Sequence, residues 1–123
     1  MTPPPDRDDT LPHRARDAWE KAPDAEKEKA LVYASRFVDR LPYKGRRESS
    51  KQPLAWPRKG VSRDDGTPVR GIPNEIRHAT ALVAGFIVGK VPCEAPALAH
   101  LWVLLGPFLK EEPRFEGEEA KWH

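Results

Sequence analysis

The stretch LAWPRKGV, residues 54–61, holds the residues of this chain best suited to chemistry: Trp56 stands directly before a proline and two positive charges. An indole near the phenol of Tyr43, flanked by cations, can stack a base and hold a phosphate. Proteins grip single-stranded nucleic acid through that pair of contacts. The same indole can instead fold back as the lid of a small core, with the lysines and arginines solvated around it. Residue types alone favour this second arrangement. The two are compatible, because an anchored indole would aim Arg58 and Lys59 at a partner.

Elsewhere the reactive residues form no constellation. His13, His78, His100 and His123 are scattered without the spacing of metal ligands. Cys93 is the single cysteine, so an internal disulfide is excluded, and no neighbour in sequence would lower its pKa. Asp64 and Asp65 before Gly66 lack the further oxygen ligands of a calcium loop and read as a turn. Gly45 and Gly60 stand alone, so no glycine-rich loop cradles a phosphate, and no nucleophile motif occurs. We expect no enzyme activity, no metal and no cofactor. Binding surfaces are the better lead.

The elements that must position such a surface follow from composition and period. The chain has 123 residues, one domain at most, with 33% charged residues and a net charge of only +2. Mean hydropathy is −0.71. The longest apolar run, residues 79–89, falls far short of the roughly 20 residues a membrane span needs. We therefore expect no membrane association. The opening MTPPPDRDDT has no apolar leader segment, from which we expect the chain to begin in a cytoplasm. Charge is unevenly spread. Lys44, Arg46, Arg47, Lys51, Arg58, Lys59 and Arg63 face only Glu48, whereas Glu111, Glu112, Glu116, Glu118 and Glu119 dominate the end. A basic middle and an acidic tail suit copies that pair head to tail, or a protein facing two different partners.

Residues 1–12 are rich in proline and aspartate and read as a flexible arm. A short helix around Trp19, residues 13–22, ends at Pro23. The spacing then predicts a helix from Pro23 or Asp24, with Ala30, Leu31, Ala34, Phe37, Val38 and Leu41 on one face, stopped by Pro42. Residues 43–71 show no period and read as a long basic loop, with a small hairpin conceivable around Asp64–Gly66. A second strong helix begins near Pro73, with Ile72, Ile76, Ala79, Val83, Phe86 and Ile87 on one face. Ala81, Gly85 and Gly89 form a row of small residues that lets another backbone come close. A third runs from residue 97 to 110, with Leu98, Leu101, Trp102, Leu105, Phe108 and Leu109 at helical spacing and a kink at Gly106-Pro107. The expected fold is mainly α: a small helical domain of three to four helices over residues 13–110, a long basic loop and extended termini. Residues 111–123 read as a flexible tail. Its Phe115 and Trp122 are aromatics of the kind that anchor a segment when it folds on a partner.

The order of these motifs resembles a family of tailed-phage and prophage proteins, labelled DnaT-like single-stranded-DNA-binding proteins and similar to head–tail connector adaptors. The resemblance runs over residues 18–90. It rests on Trp19, the charged run Glu26–Glu28, then Ala30, Leu31, Ala34, Arg36 and Asp39, the GRR of Gly45–Arg47, LAWPR with Gly60-Val61, and Ile72-Pro73 with Ile76 and Ala79. Family members usually carry a further helical segment before the tryptophan, where this chain has its proline-rich arm. The resemblance implies a virion structural protein: a ring, usually of twelve copies, that sits below the portal and extends the DNA channel. Such a ring offers a docking platform to the neck or tail protein, with the chain in the host cytoplasm before assembly. Its implied partners are the portal protein, a downstream neck, stopper or tail protein, further copies of itself, and DNA in the channel. Arg46, Arg47, Trp56, Arg58, Lys59, Phe115 and Trp122 are the candidate contact residues. The alternative takes the family label literally, as a single-stranded-DNA-binding protein of phage replication.

Overall fold

The computed structural model describes residues 11–111 and 121–122, and over them the fold is mainly helical. Helix α1, Leu11–Lys21, buries Leu11 and Ala15 and rests Trp19 against the core. It starts within the stretch expected to be a flexible arm, because Leu11 has an apolar site to fill. Pro23 ends it: the residue before a proline is pushed out of the helical region, and the proline has no N–H to donate.

Pro23 then serves as the extended N-cap of α2, Asp24–Asp39, whose first turn carries Asp24 and Glu26 against the positive end of the helix dipole. Ala30, Ala34, Phe37 and Val38 form the buried stripe. Leu31, expected on that stripe, is 40% exposed. It stands one residue from Ala30, hence about 100° around the helix, and falls off the edge of a stripe centred on Ala34 and Phe37. The cap N–H of Arg40 bonds back to Phe37 and Val38, and Pro42 prevents continuation.

Helix α3, Asn74–Val88, is the central post, packing on α1, α2 and the fourth helix. Ile76, Ala79, Val83 and Phe86 are buried as their spacing requires and Ile87 packs at the edge. Ile72, however, precedes the helix and is 39% exposed. The small-residue row has a visible use. A Cβ on Gly85 would stand 2.8 Å from the Ala15 Cβ and 3.0 Å from its carbonyl oxygen, and one on Gly89 would stand 3.3 Å from the Ala18 Cβ. Hence α1 lies directly on the α3 backbone at these two residues. Helix α4, Ala95–Leu105, buries Ala97, Leu98, Leu101 and Leu105, then tightens into a 3₁₀ turn over Gly106–Phe108 where Pro107 interrupts the ladder.

The stretch between α2 and α3 is not one loop but two small hairpins. In the first, strands β1, Arg46–Arg47, and β2, Arg58–Lys59, pair antiparallel, with Arg46 opposite Lys59 and Arg47 opposite Arg58. Gly45 sits at φ +72°, with no room for a side chain: a Cβ there would stand 2.0 Å from the Lys59 carbonyl oxygen. The second hairpin closes around Asp64–Gly66, as its turn residues suggest. Arg63 N–H donates to Thr67 O at 2.8 Å, the Asp65 carboxylate accepts the Thr67 N–H at 2.9 Å, and Ser62 bridges Pro68.

Trp122, from the segment expected to be a free tail, occupies the core at 5% exposure. Its ring meets Phe37 edge-on at 5.0 Å and stacks on Phe86 at 5.5 Å, so it fills the seam between α2 and α3. Among the described residues no helix is long and apolar enough to cross a membrane.

Candidate nucleic-acid interface

The first hairpin owes its position to three contacts with the helical body. Trp56, 4% exposed, stands edge-on to Tyr43 at 5.3 Å and to Phe108 at 5.8 Å, which wedges the hairpin base onto the end of α4. Edge-to-face contacts of this kind add about 0.5–1.5 kcal/mol each to the area buried. The Tyr43 hydroxyl donates to Val38 O at 2.6 Å, pinning the chain where it leaves α2. Burial of that phenol pushes its pKa well above the usual tyrosine value. The Ala55 N–H donates to the Asp39 carboxylate at 2.7 Å, so the last residue of α2 holds the residue beside the wedge. The Trp56 indole N–H makes no hydrogen bond of ordinary geometry among the described residues, although the Tyr43 hydroxyl lies near it.

Arg58 belongs to the scaffold as well. Its guanidinium donates to three backbone carbonyls, those of Lys44 at 2.9 Å, Gly45 at 3.0 Å and Ala55 at 3.2 Å, and lies 6.0 Å over the Tyr43 ring. A planar group with five donors in a fixed fork can hold three carbonyls on two segments in this way, a geometry that the single ammonium of lysine does not match. Arg58 is therefore a staple across the hairpin base more than a freely exposed contact.

Arg46, Arg47 and Lys59 remain exposed on the hairpin. Alternation along a strand sends successive side chains to opposite faces. The register then sets Arg46 beside Lys59 on one face and Arg47 beside Arg58 on the other. Both cross-strand pairs are like-charged, an arrangement that destabilises a ladder unless an anion lies against it. Among the described residues none of these four cations has a salt-bridge partner, although Arg47 reaches Gln52 O at 3.3 Å. Arg63, counted in the same basic run, is different: its guanidinium pairs with both carboxylate oxygens of Glu75 and lies 5.8 Å over Phe108. That pairing holds the Glu75 carboxyl below its usual range and raises Arg63 further.

The seven candidate residues thus divide. Arg46 and Lys59 on one face of the hairpin, and Arg47 with the half-buried Arg58 on the other, make the hairpin a cationic ridge. Trp56 is internal, as the lid arrangement requires. Trp122 is also internal, which corrects its assignment as a partner anchor: its indole N–H donates to Val91 O at 2.8 Å, a buried acceptor at the end of α3. Phe115 lies outside the described residues. Three residues of the assembly were missed: Asp39, the hairpin's carboxylate anchor; Glu75, which neutralises Arg63; and Lys110, taken as the last residue of a helix. None had a local signal, because each acts on a segment distant in sequence.

No base-stacking platform exists among the described residues of the ridge. Its two aromatics, Tyr43 and Trp56, are 2% and 4% exposed and are spent on each other and on Phe108. What the ridge can do is meet phosphate or carboxylate groups. No curated protein and no solved structure matches this chain. A family model does, over residues 6–96; its description is "Putative DnaT-like ssDNA binding protein".

Proposed function

The chain belongs to the family of putative DnaT-like ssDNA-binding proteins, and on that premise we propose that it binds DNA through the phosphate backbone, along the cationic ridge of the first hairpin. The observation that supports this is the pair of like-charged cross-strand partners, Arg46 with Lys59 and Arg47 with Arg58. Four cations held on four residues of paired backbone repel one another, and a polyanion relieves that repulsion. Burial of Tyr43 and Trp56 gives the contact its character: charge is read and bases are not, so binding is indifferent to sequence.

Such a contact releases counterions. With three exposed cations engaged, the logarithm of the affinity falls with the logarithm of salt at a slope of roughly −2 on a single strand. Fluorescence anisotropy with a labelled oligonucleotide, at low and physiological salt, measures this directly. A flat salt dependence, or no binding at low salt, would sink the proposal.

A second reading is the head–tail connector of a tailed phage or phage-like particle, a virion protein that forms a ring under the portal and supports the neck or tail. One observation favours it: a ridge without stacking rings suits duplex as well as single strands, as the wall of a DNA channel would. Sedimentation of the protein with portal rings from the same genome separates the two readings. Stoichiometric capture by the ring, with only weak salt-sensitive DNA binding, makes the connector the better account. Tight single-strand binding that persists at physiological salt, without capture, removes it.

A further inference from the structure

A groove of about 320 Å³ opens where the hairpin base meets the end of α2 and the chain beyond α4. Its walls include Arg47, Arg58 and Lys110, with Asp39 as the one carboxylate among the described residues. We propose that this groove seats a single phosphate group of the DNA backbone, with Lys110 as a contact residue supplied from outside the hairpin. The proposal rests on the DNA-binding reading above and names where on that ridge a phosphate is held.

Placement of the cations supports it. Lys110 reaches the groove because residues 108–110 run against residues 42–44: Lys44 N–H donates to Phe108 O at 2.8 Å, Lys110 N–H donates to Pro42 O at 2.9 Å, and Tyr43 bridges Leu109. Lys110 is thereby held by its backbone while its side chain is exposed and has no ion-pair partner among the described residues. Arg58 has committed three N–H groups to carbonyls and retains two of its five. Asp39, the opposing charge, already accepts the Ala55 N–H. Among the described residues three cations face one engaged carboxylate, which leaves the groove positive. The Arg58 guanidinium is already fixed on backbone carbonyls and that of Arg47 reaches Gln52 O, so little of their freedom is lost on binding. The two non-bridging oxygens of a phosphodiester can accept charge-assisted hydrogen bonds from more than one wall of the groove.

The test measures the affinity of a single-stranded 12-mer by anisotropy across a salt series, for the wild type, Lys110→Gln, and Arg46→Gln with Lys59→Gln. We expect Lys110→Gln to weaken binding about 3- to 10-fold, and to lower the salt slope by about 1, as for any lysine that neutralises a phosphate. Unchanged affinity and slope in Lys110→Gln, with binding still lost in the double variant, would overturn the groove while leaving the ridge intact. No oligonucleotide binding by the wild type would remove the broader reading and the groove with it. A synthetic EEPRFEGEE peptide, residues 111–119, is the competing occupant. If it binds the wild type and not Lys110→Gln, and displaces the 12-mer, the groove is a carboxylate site for another copy and the proposal is wrong.

Discussion

The indole N–H of Trp122 donates to the carbonyl of Val91 at 2.8 Å, a bond between the last turn-out of α3 and almost the last residue of the chain. Val91 N–H in turn reaches back to Phe86 O at 2.9 Å, and Phe86 is the ring on which Trp122 stacks. Trp122 is therefore part of the helical core, inserted between α2 and α3.

Removing that ring should be costly. Truncation of a buried tryptophan loses its burial and leaves a cavity, together about 3–5 kcal/mol, a large share of the stability of a small domain. Trp122→Ala, or a chain ended after Lys110, should show a thermal midpoint lowered by well over 10 °C. Trp122→Phe, which keeps a ring but no N–H for Val91 O, should lose less. Scanning calorimetry of the three proteins checks the order, and a midpoint unchanged in Trp122→Ala would contradict the placement.

Trp56 should behave differently. Its truncation also empties a site between Tyr43 and Phe108, so Trp56→Ala should destabilise by about 3–5 kcal/mol and free the hairpin. Its N–H, however, makes no well-formed hydrogen bond in the described structure, and a buried unsatisfied donor carries a penalty of about 1–3 kcal/mol. Trp56→Phe should therefore cost much less than the lost area implies. Urea denaturation curves for both variants test the contrast, and equal losses would mean that the indole N–H is satisfied.

Arg58 and Lys59 are neighbours in sequence with opposite expected effects. Arg58→Ala frees three backbone carbonyls and should cost about 1–3 kcal/mol while weakening DNA binding indirectly. Lys59→Ala should leave stability within about 0.5 kcal/mol of the parent and reduce affinity through lost charge alone. Paired denaturation and anisotropy measurements on each variant resolve the two roles. Loss of stability in Lys59→Ala would place it in the scaffold.

Alkaline pH should unfold the protein through Tyr43 and Cys93. Burial raises both: the thiol is pushed up to about 11, and the phenol higher than that. In each case the folded state keeps its proton where the unfolded chain loses it, so stability is fully present below the unfolded pKa values. It falls from about pH 8.5–9 for the thiol and from about pH 10 for the phenol. Stability by urea titration should thus decline steadily across pH 9–11. Tyr43→Phe should be weaker near pH 7, through loss of the bond to Val38 O, yet show a shallower alkaline decline. A decline as steep as the parent's would assign the effect elsewhere.

The order of residues along the chain was enough to specify the helices and, at Pro23 and Pro42, where the first two stop. Ala30, Ala34, Phe37 and Val38, and Ile76, Ala79, Val83 and Phe86, recur at helical spacing. Pro23 and Pro42 break the backbone ladder, and Gly85 and Gly89 lack the Cβ that would hold another helix away. These are local properties, set by dihedral preference and by which face an apolar side chain must hide. The same locality marked residues 44–63 as basic. Tertiary structure decided what each of those charges does. Arg58 is occupied by the carbonyls of Lys44, Gly45 and Ala55 and Arg63 by Glu75, while Lys44, Arg46, Arg47, Lys51 and Lys59 are left exposed. It also put Trp122 in the core and brought Lys110 to the groove that Arg47 lines. The physical reason is common to all of these. A donor, an indole or a cation takes its role from the group it meets, and here that group lies on another segment, brought close only when the core closes around α3.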